Sequence, residues 1–147
     1  MFKFHEIGDY KTAKNVGYCV TEVPLKNGMG VTVDEAARKV SLPAAGASDI
    51  SVVMSIIDKP ETHSPNEYVI ESGEYPRTFQ LSSITGKLID MDTDVITADY
   101  SSIEVGDILV YDTDGKLKKG TGSETTGYKV IEKTSFGGEG ILAKVLA

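Results

Sequence analysis

The chain has 147 residues, of which 40% are hydrophobic and 25% are charged, and its formal net charge at pH 7 is -7. This length and composition are typical of one globular domain, or one domain with a small appendage, rather than of a disordered chain. The negative charge argues against binding to nucleic acid or to an anionic membrane surface, because both require an excess of Lys and Arg at the interface.

The first fifteen residues are polar and lack a regular hydrophobic period, but they carry isolated aromatic side chains at Phe2, Phe4 and Tyr10. We interpret residues 1–15 as an extended N-terminal arm attached to a β-rich domain of residues 16–147. Such a segment buries little surface by itself, so its aromatic side chains must pack back onto the domain or reach a neighbouring subunit. A terminal strand of the same domain is the alternative that this stretch leaves open.

From residue 16 onward the pattern is typical of short strands. Alternating residues flank the segment 34–39, which predicts two strands joined by a loop or by one helical turn. The β-branched run at 50–57 predicts a well-buried strand, and the prolines within 58–66 predict a loop. The predicted strands of this part are residues 31–33, 40–42, 50–57, 68–71 and 78–81.

The last third of the chain has clear turn chemistry. The segment 112–115 predicts a tight turn between two strands, with Gly115 able to take a positive φ. Short strands at this spacing predict a mainly β fold, either a small β-barrel or a β-sandwich. At most two short helices are expected, near residues 82–84 or 34–39. The predicted strands here are residues 105–111, 116–118, 128–133 and 141–146.

The aspartates within residues 90–94 resemble the opening of an EF-hand calcium loop. That loop needs glycine at its sixth position and a bidentate glutamate at its twelfth. Val95 and Ser101 stand at those positions in this chain. The spacing therefore excludes an EF-hand, and we interpret the segment as a solvated acidic turn.

No other motif predicts catalysis, a cofactor or a metal site, and we expect the protein not to be an enzyme. His5 and His63 are far apart in the sequence, and neither has a nucleophile or metal ligands nearby. Cys19 is the one cysteine and lies in an apolar stretch, which predicts a buried small side chain rather than a reactive thiol. The chain has no apolar run of signal-peptide or membrane-span type, which predicts synthesis and first folding in a cytoplasm.

Four short motifs follow one another in the last 45 residues. Gly106 and Asp107 open a strand, the segment 114–116 forms a turn, and Gly127 and Gly138 precede the last two strands. In this order the motifs resemble the closing half of bacteriophage head decoration proteins, also called capsid cement proteins. Residues 2–30 also resemble the start of small structural proteins of phages, whereas residues 50–100 match no such pattern.

The resemblance implies a structural virion protein that binds the outer surface of a phage capsid at joints between major capsid subunits and stabilises the shell. Its partner would be the major capsid protein, with binding as a monomer or as a trimer, and with no cofactor. Residues 1–15 would help to clamp the shell, and Phe2, Phe4 and Tyr10 are the expected contacts. A tail-tube or head–tail connector protein is the alternative from the same virion. A small ligand-binding or hydrolytic β-barrel is the alternative of another class.

Overall fold

The computed structural model describes residues 1–57, 59, 64, 67–135 and 138–146. These residues form a mainly β structure with two sheets, as the sequence predicts. The strands are β1 (Phe2–Phe4), β2 (Val20–Thr21), β3 (Gly30–Asp34), β4 (Lys39–Ser41), β5 (Ser51–Val53), β6 (Thr78–Gln80), β7 (Leu88–Asp92), β8 (Ile108–Tyr111), β9 (Leu117–Lys119), β10 (Tyr128–Thr134) and β11 (Gly140–Val145). The helical segments include α1 (Asp9–Thr12) and the 3₁₀ turns Leu81–Ser83 and Tyr100–Ser102.

The two sheets differ in how the chain runs through them. The six-stranded sheet has the order β1-β7-β11-β10-β8-β9, and every neighbouring pair is antiparallel. The five-stranded sheet has the order β2-β4-β3-β5-β6, and only its β2–β4 pair is parallel. The last four strands of the chain therefore all belong to the six-stranded sheet.

The turn between β8 and β9 forms as its residue types predict. Gly115 has φ +78°, a left-handed conformation that costs a residue with a Cβ atom. The Asp112 carboxylate accepts a hydrogen bond from the Thr113 N–H at 2.8 Å, and the Asp114 carboxylate accepts one from the Lys116 N–H at 2.9 Å. Short acidic side chains thus satisfy the backbone donors that the turn would otherwise leave without partners.

The expected short helices are found in part. The 3₁₀ turn Leu81–Ser83 lies close to the predicted position at 82–84. The segment between β3 and β4 is a turn, in which Asp34 accepts the Ala37 N–H and Arg38 has φ +54°. The helix α1 was not predicted, and it follows the first strand after a short turn.

A single hydrophobic core joins the two sheets. The Phe4 ring of the six-stranded sheet meets the Phe79 ring of the five-stranded sheet edge to face, with centroids 5.2 Å apart. The Tyr111 hydroxyl donates to the Gly28 carbonyl at 2.7 Å and lies 2.9 Å from the Tyr128 hydroxyl. Burial raises the pKa of both tyrosines, so these hydroxyls act as neutral hydrogen-bonding groups inside the core.

The first strand corrects the expectation of an extended arm. Phe2 pairs with Met91 and Phe4 with Ile89, so β1 is an edge strand of the six-stranded sheet. The Phe2 side chain is 6% exposed and that of Phe4 is 1% exposed. Burying two phenylalanine rings favours folding by several kcal/mol, on the order of 2 kcal/mol each, which outweighs the polar character of the surrounding residues. The terminal strand, the alternative that the sequence left open, is correct.

The middle of the chain also departs from its predicted strands. Only Ser51–Val53 of the run 50–57 is a strand, and the side chains of Ile56 and Ile57 are 70% and 41% exposed. In the segment 68–71, an isolated bridge joins Ile70 to Leu25 in place of the predicted strand. The β-branched pattern identified a buried strand correctly but overestimated its length.

Candidate interaction groove

Three of the four sheet edges are covered by other parts of the chain. Val16 exchanges two backbone hydrogen bonds with β6, residues 73–74 bond to β2, and residues 95–97 bond to β9. The outer edge of β1 has no backbone partner among the residues that the structure describes. An open edge of this kind is a template for pairing with another chain.

The register of β1 shows which of its backbone groups face outward. The His5 N–H donates to the Leu88 carbonyl and the Asp92 N–H donates to the Met1 carbonyl, so the odd-numbered residues face β7. The amide groups of Phe2 and Phe4 therefore point to the outer edge. The Phe4 N–H donates to the Tyr10 hydroxyl at 3.1 Å. Within the described residues, the Phe2 N–H and both carbonyls have no hydrogen-bond partner.

This outer edge borders a groove with a volume of about 570 Å³. The wall opposite β1 is the segment Ser55, Ile56 and Ile57, which follows β5. The Asn27 side chain holds this wall in place. Its Nδ2 donates to the Ser55 carbonyl at 3.0 Å, and its Oδ1 accepts the Ser55 N–H at 2.7 Å. A side-chain amide thus takes the place of a neighbouring strand, which leaves the two isoleucine side chains directed away from the core and exposed.

A fixed positive charge lies at the Phe4 end of the groove. Arg77 Nε donates to the Met54 carbonyl at 3.0 Å, and the guanidinium lies 5.3 Å from the centre of the Tyr10 ring and 5.1 Å from that of Phe79. These distances are typical of cation–π contacts. Burial raises the pKa of Tyr10, so its ring presents a neutral face to the arginine.

A charged pair lies beside the Met1 end of β1. Lys26 Nζ is 3.2 Å from the Asp94 carboxylate, and the Asp94 N–H donates to Asp92. Among the described residues that line the groove, Lys3, Lys26 and Arg77 are basic and Asp94 is acidic.

The aspartates of residues 90–94 are not a solvated acidic turn. Asp90 contacts His5 Nδ1 at 2.9 Å, Asp92 binds the N-terminal ammonium group, and Asp94 binds Lys26. Asp90 and Asp92 lie in β7, and each of the three carboxylates has a different partner. No group of three potential metal ligands occurs among the residues that the structure describes.

The remaining side chains singled out in the sequence lie apart from the groove. Cys19 is fully buried, as predicted, and burial raises the pKa of its thiol. His63 lies outside the described residues. Within the described part, no helix is long and apolar enough to cross a membrane.

The three predicted contact residues have different positions in the structure. Phe2 and Phe4 are buried in the chain's own core, so their rings do not meet a neighbour in this conformation. Tyr10 is half-buried and lines the groove beside Arg77. Sequence reasoning missed the wall at 55–57. The available signal was two isoleucines at the end of the predicted strand, directly before the prolines of the predicted loop 58–66, most of which lies outside the described residues.

Comparison of the chain with protein-family models, with curated proteins and with solved structures found no match. Its interactions are therefore inferred from its own residues.

Proposed function

We propose that this chain is a structural virion protein that binds the outer surface of a phage capsid, where major capsid subunits meet, and stabilises the shell. The observation that carries the proposal is the order of strand and turn motifs over residues 106–146, which resembles that of capsid decoration proteins. That segment forms β8 to β11, four consecutive strands of one sheet. We further propose that the two sheets are the layers of a small sandwich, because Phe4 and Phe79 meet between them.

The surface properties of the chain are compatible with this role. A net charge of -7 keeps free copies apart in solution, and the open edge of β1 offers backbone groups to a partner. An interface of about 800 Å² per partner gives specific binding. Repetition of that interface around a shell makes even modest individual contacts stabilise the whole particle.

The proposal is tested by mixing the purified chain with capsids that lack any decoration protein. We expect saturable co-sedimentation, density on the outer surface at subunit joints in electron micrographs, and a higher melting temperature of the shell. Shells already carrying their full complement of the chain are the control and should bind no more. Absence of co-sedimentation would contradict the proposal.

A tail-tube or connector protein would behave differently in the same experiment. Such proteins close into rings through repeated head-to-tail contacts. Rings formed by the isolated chain, together with binding at a single vertex or to tails, would favour that alternative over decoration of the shell.

A further inference from the structure

We infer that the groove beside β1 is a docking site for an extended acidic segment of another protein, which adds to the six-stranded sheet as a strand next to β1. The identification of that protein as a capsid subunit rests on the proposed function. The docking site itself rests on the backbone edge, the exposed apolar wall and the Arg77 guanidinium.

The backbone edge determines the form of the occupant. The outward-facing N–H and carbonyl of Phe2, with the carbonyl of Phe4, are spaced as in a strand that awaits a neighbour. The other three sheet edges are covered by the chain itself. An extended segment satisfies these groups through its own main chain, which is how peptides add to exposed sheet edges in many protein complexes.

The apolar wall gives the occupant a second surface. Ile56 is 70% exposed and Ile57 is 41% exposed, and both line the groove opposite β1. Removing such side chains from water stabilises a complex by about 25 cal/mol per Å² of apolar area. A segment with apolar residues at alternate positions would place them against this wall while its backbone pairs with β1.

The Arg77 guanidinium selects the chemistry of the occupant. The described contacts of Arg77 use its Nε and the face of the guanidinium, so its terminal nitrogens are the donors available to a carboxylate in the groove. A carboxylate can accept from both terminal nitrogens of a guanidinium, so Arg77 favours an acidic segment. A second copy of this chain is disfavoured because each copy carries a net charge of -7.

The first experiment does not involve the capsid. A five-residue peptide of alternating Glu and Val is titrated into the ¹⁵N-labelled full chain, with the Lys–Val peptide of the same length as control. We expect amide shifts confined to residues 1–4, 26–27, 55–57 and 77, and slower hydrogen exchange at the Phe2 amide. Binding on the order of 1 mM is sufficient, since so short a segment is only part of the natural interface. Equal shifts with both peptides, or none with the acidic peptide, would overturn the inference.

The second experiment uses decoration-free shells and a matched pair of variants. The double variant Ile56→Glu/Ile57→Glu changes the wall of the groove. The control Val105→Glu/Ile131→Glu makes the same charge change at side chains that are 64% and 41% exposed outside the groove. We expect the first variant to bind shells at least about tenfold more weakly, and the control to bind as the unchanged chain does.

The outcomes separate this inference from the proposed function. If the unchanged chain does not bind shells, the proposed function fails. The peptide titration still tests whether the groove binds an acidic segment. If both double variants bind shells equally well, the inference that the groove is the docking site fails, whereas the proposal that the chain binds the capsid remains. If the isolated chain forms a dimer that Ile56→Glu/Ile57→Glu abolishes, the occupant is a second copy and the inference of an acidic partner is wrong.

Discussion

The two sheets are built from different kinds of contact. The six-stranded sheet contains strands of three to seven residues, and its last four strands follow one another in the chain. The five-stranded sheet contains strands of two to five residues and includes a parallel pair. Isolated bridges join both sheets to loops, Val16 to β6 and Ile96 to β9. The hairpins formed by β8 to β11 are therefore organised by local turns, as is β3–β4 in the second sheet, whereas β1 and β7 join the first sheet through contacts that only the complete fold supplies.

Two contacts join the two sheets. One is the aromatic contact between Phe4 and Phe79, and the other is the hydrogen bond from the Gly30 N–H of β3 to the Gly115 carbonyl at 2.8 Å. If these two contacts join the sheets, a substitution that disturbs one of them should lower the free energy of unfolding. The loss should be larger than for a similar substitution at a position that makes no contact between the sheets.

The largest effect is expected for Phe4→Ala. The ring is 1% exposed and contacts the other sheet, so its removal leaves a cavity and should lower the free energy of unfolding by about 3–5 kcal/mol. Ile7→Ala is the control, because Ile7 is 84% exposed and should change stability by less than about 0.5 kcal/mol. Urea denaturation measures both. Similar small changes for the two variants would show that the first residues act as an arm and not as part of the core.

A smaller effect is expected for Gly115→Ala. A Cβ atom at this position would lie 2.9 Å from the Gly30 carbonyl oxygen, and Gly115 has φ +78°. Gly106→Ala is the control, since Gly106 has φ +96° but no atom within 4 Å of the added carbon. We expect a loss of about 1 kcal/mol at Gly106 and about 2–3 kcal/mol at Gly115. Equal losses would mean that the contact between the sheets adds nothing to the cost of the backbone conformation.

The smallest effect concerns the loop between β9 and β10. The Glu124 carboxylate accepts hydrogen bonds from the Thr121 N–H and from the Gly122 N–H, which lower its pKa from 4.5 to about 2. Because the folded state binds this proton less readily, the stabilisation is present above pH 4.5 and is lost as the pH falls towards 2.

Glu124→Gln should therefore be less stable than the unchanged chain at neutral pH, and the difference should shrink in acid. Denaturation curves across this pH range measure the effect, with the exposed Glu6→Gln as control. A stability difference independent of pH at Glu124 would show that the carboxylate charge does not hold the loop.

The contrast between local turns and distant contacts explains which elements the sequence predicts. The turn at 112–115 was correctly predicted because its residue types act locally, through Gly115 and the short acidic side chains. The strand predicted over residues 50–57 ends at Val53 in the structure. The prediction was too long because the Asn27 side chain, distant in sequence, holds Ser55 in place. A turn that depends on its own residues can be predicted from the sequence, whereas a hydrogen bond from a distant side chain to the backbone cannot.

The groove was not predictable for a related reason. Its walls come from β1, from residues 55–57 and from Arg77 and Asp94. These segments are separated in sequence, and the pairing of β1 with β7 brings the first residues of the chain to the others. The sequence drew attention to Phe2, Phe4 and Tyr10 as aromatic residues on a polar background. Their positions in the strand and beside Arg77 depend on pairing partners that no local pattern identifies.

The pairing of β1 with β7 has a consequence for the timing of folding. Phe2 cannot meet Met91 until the chain has been made at least that far, and β7 in turn pairs with β11 near the other end. Contacts between residues so distant in sequence form slowly, because closing long loops costs entropy before any contact is gained. The docking edge is therefore among the last parts to assemble, and a partner that recognises it selects chains that have finished folding.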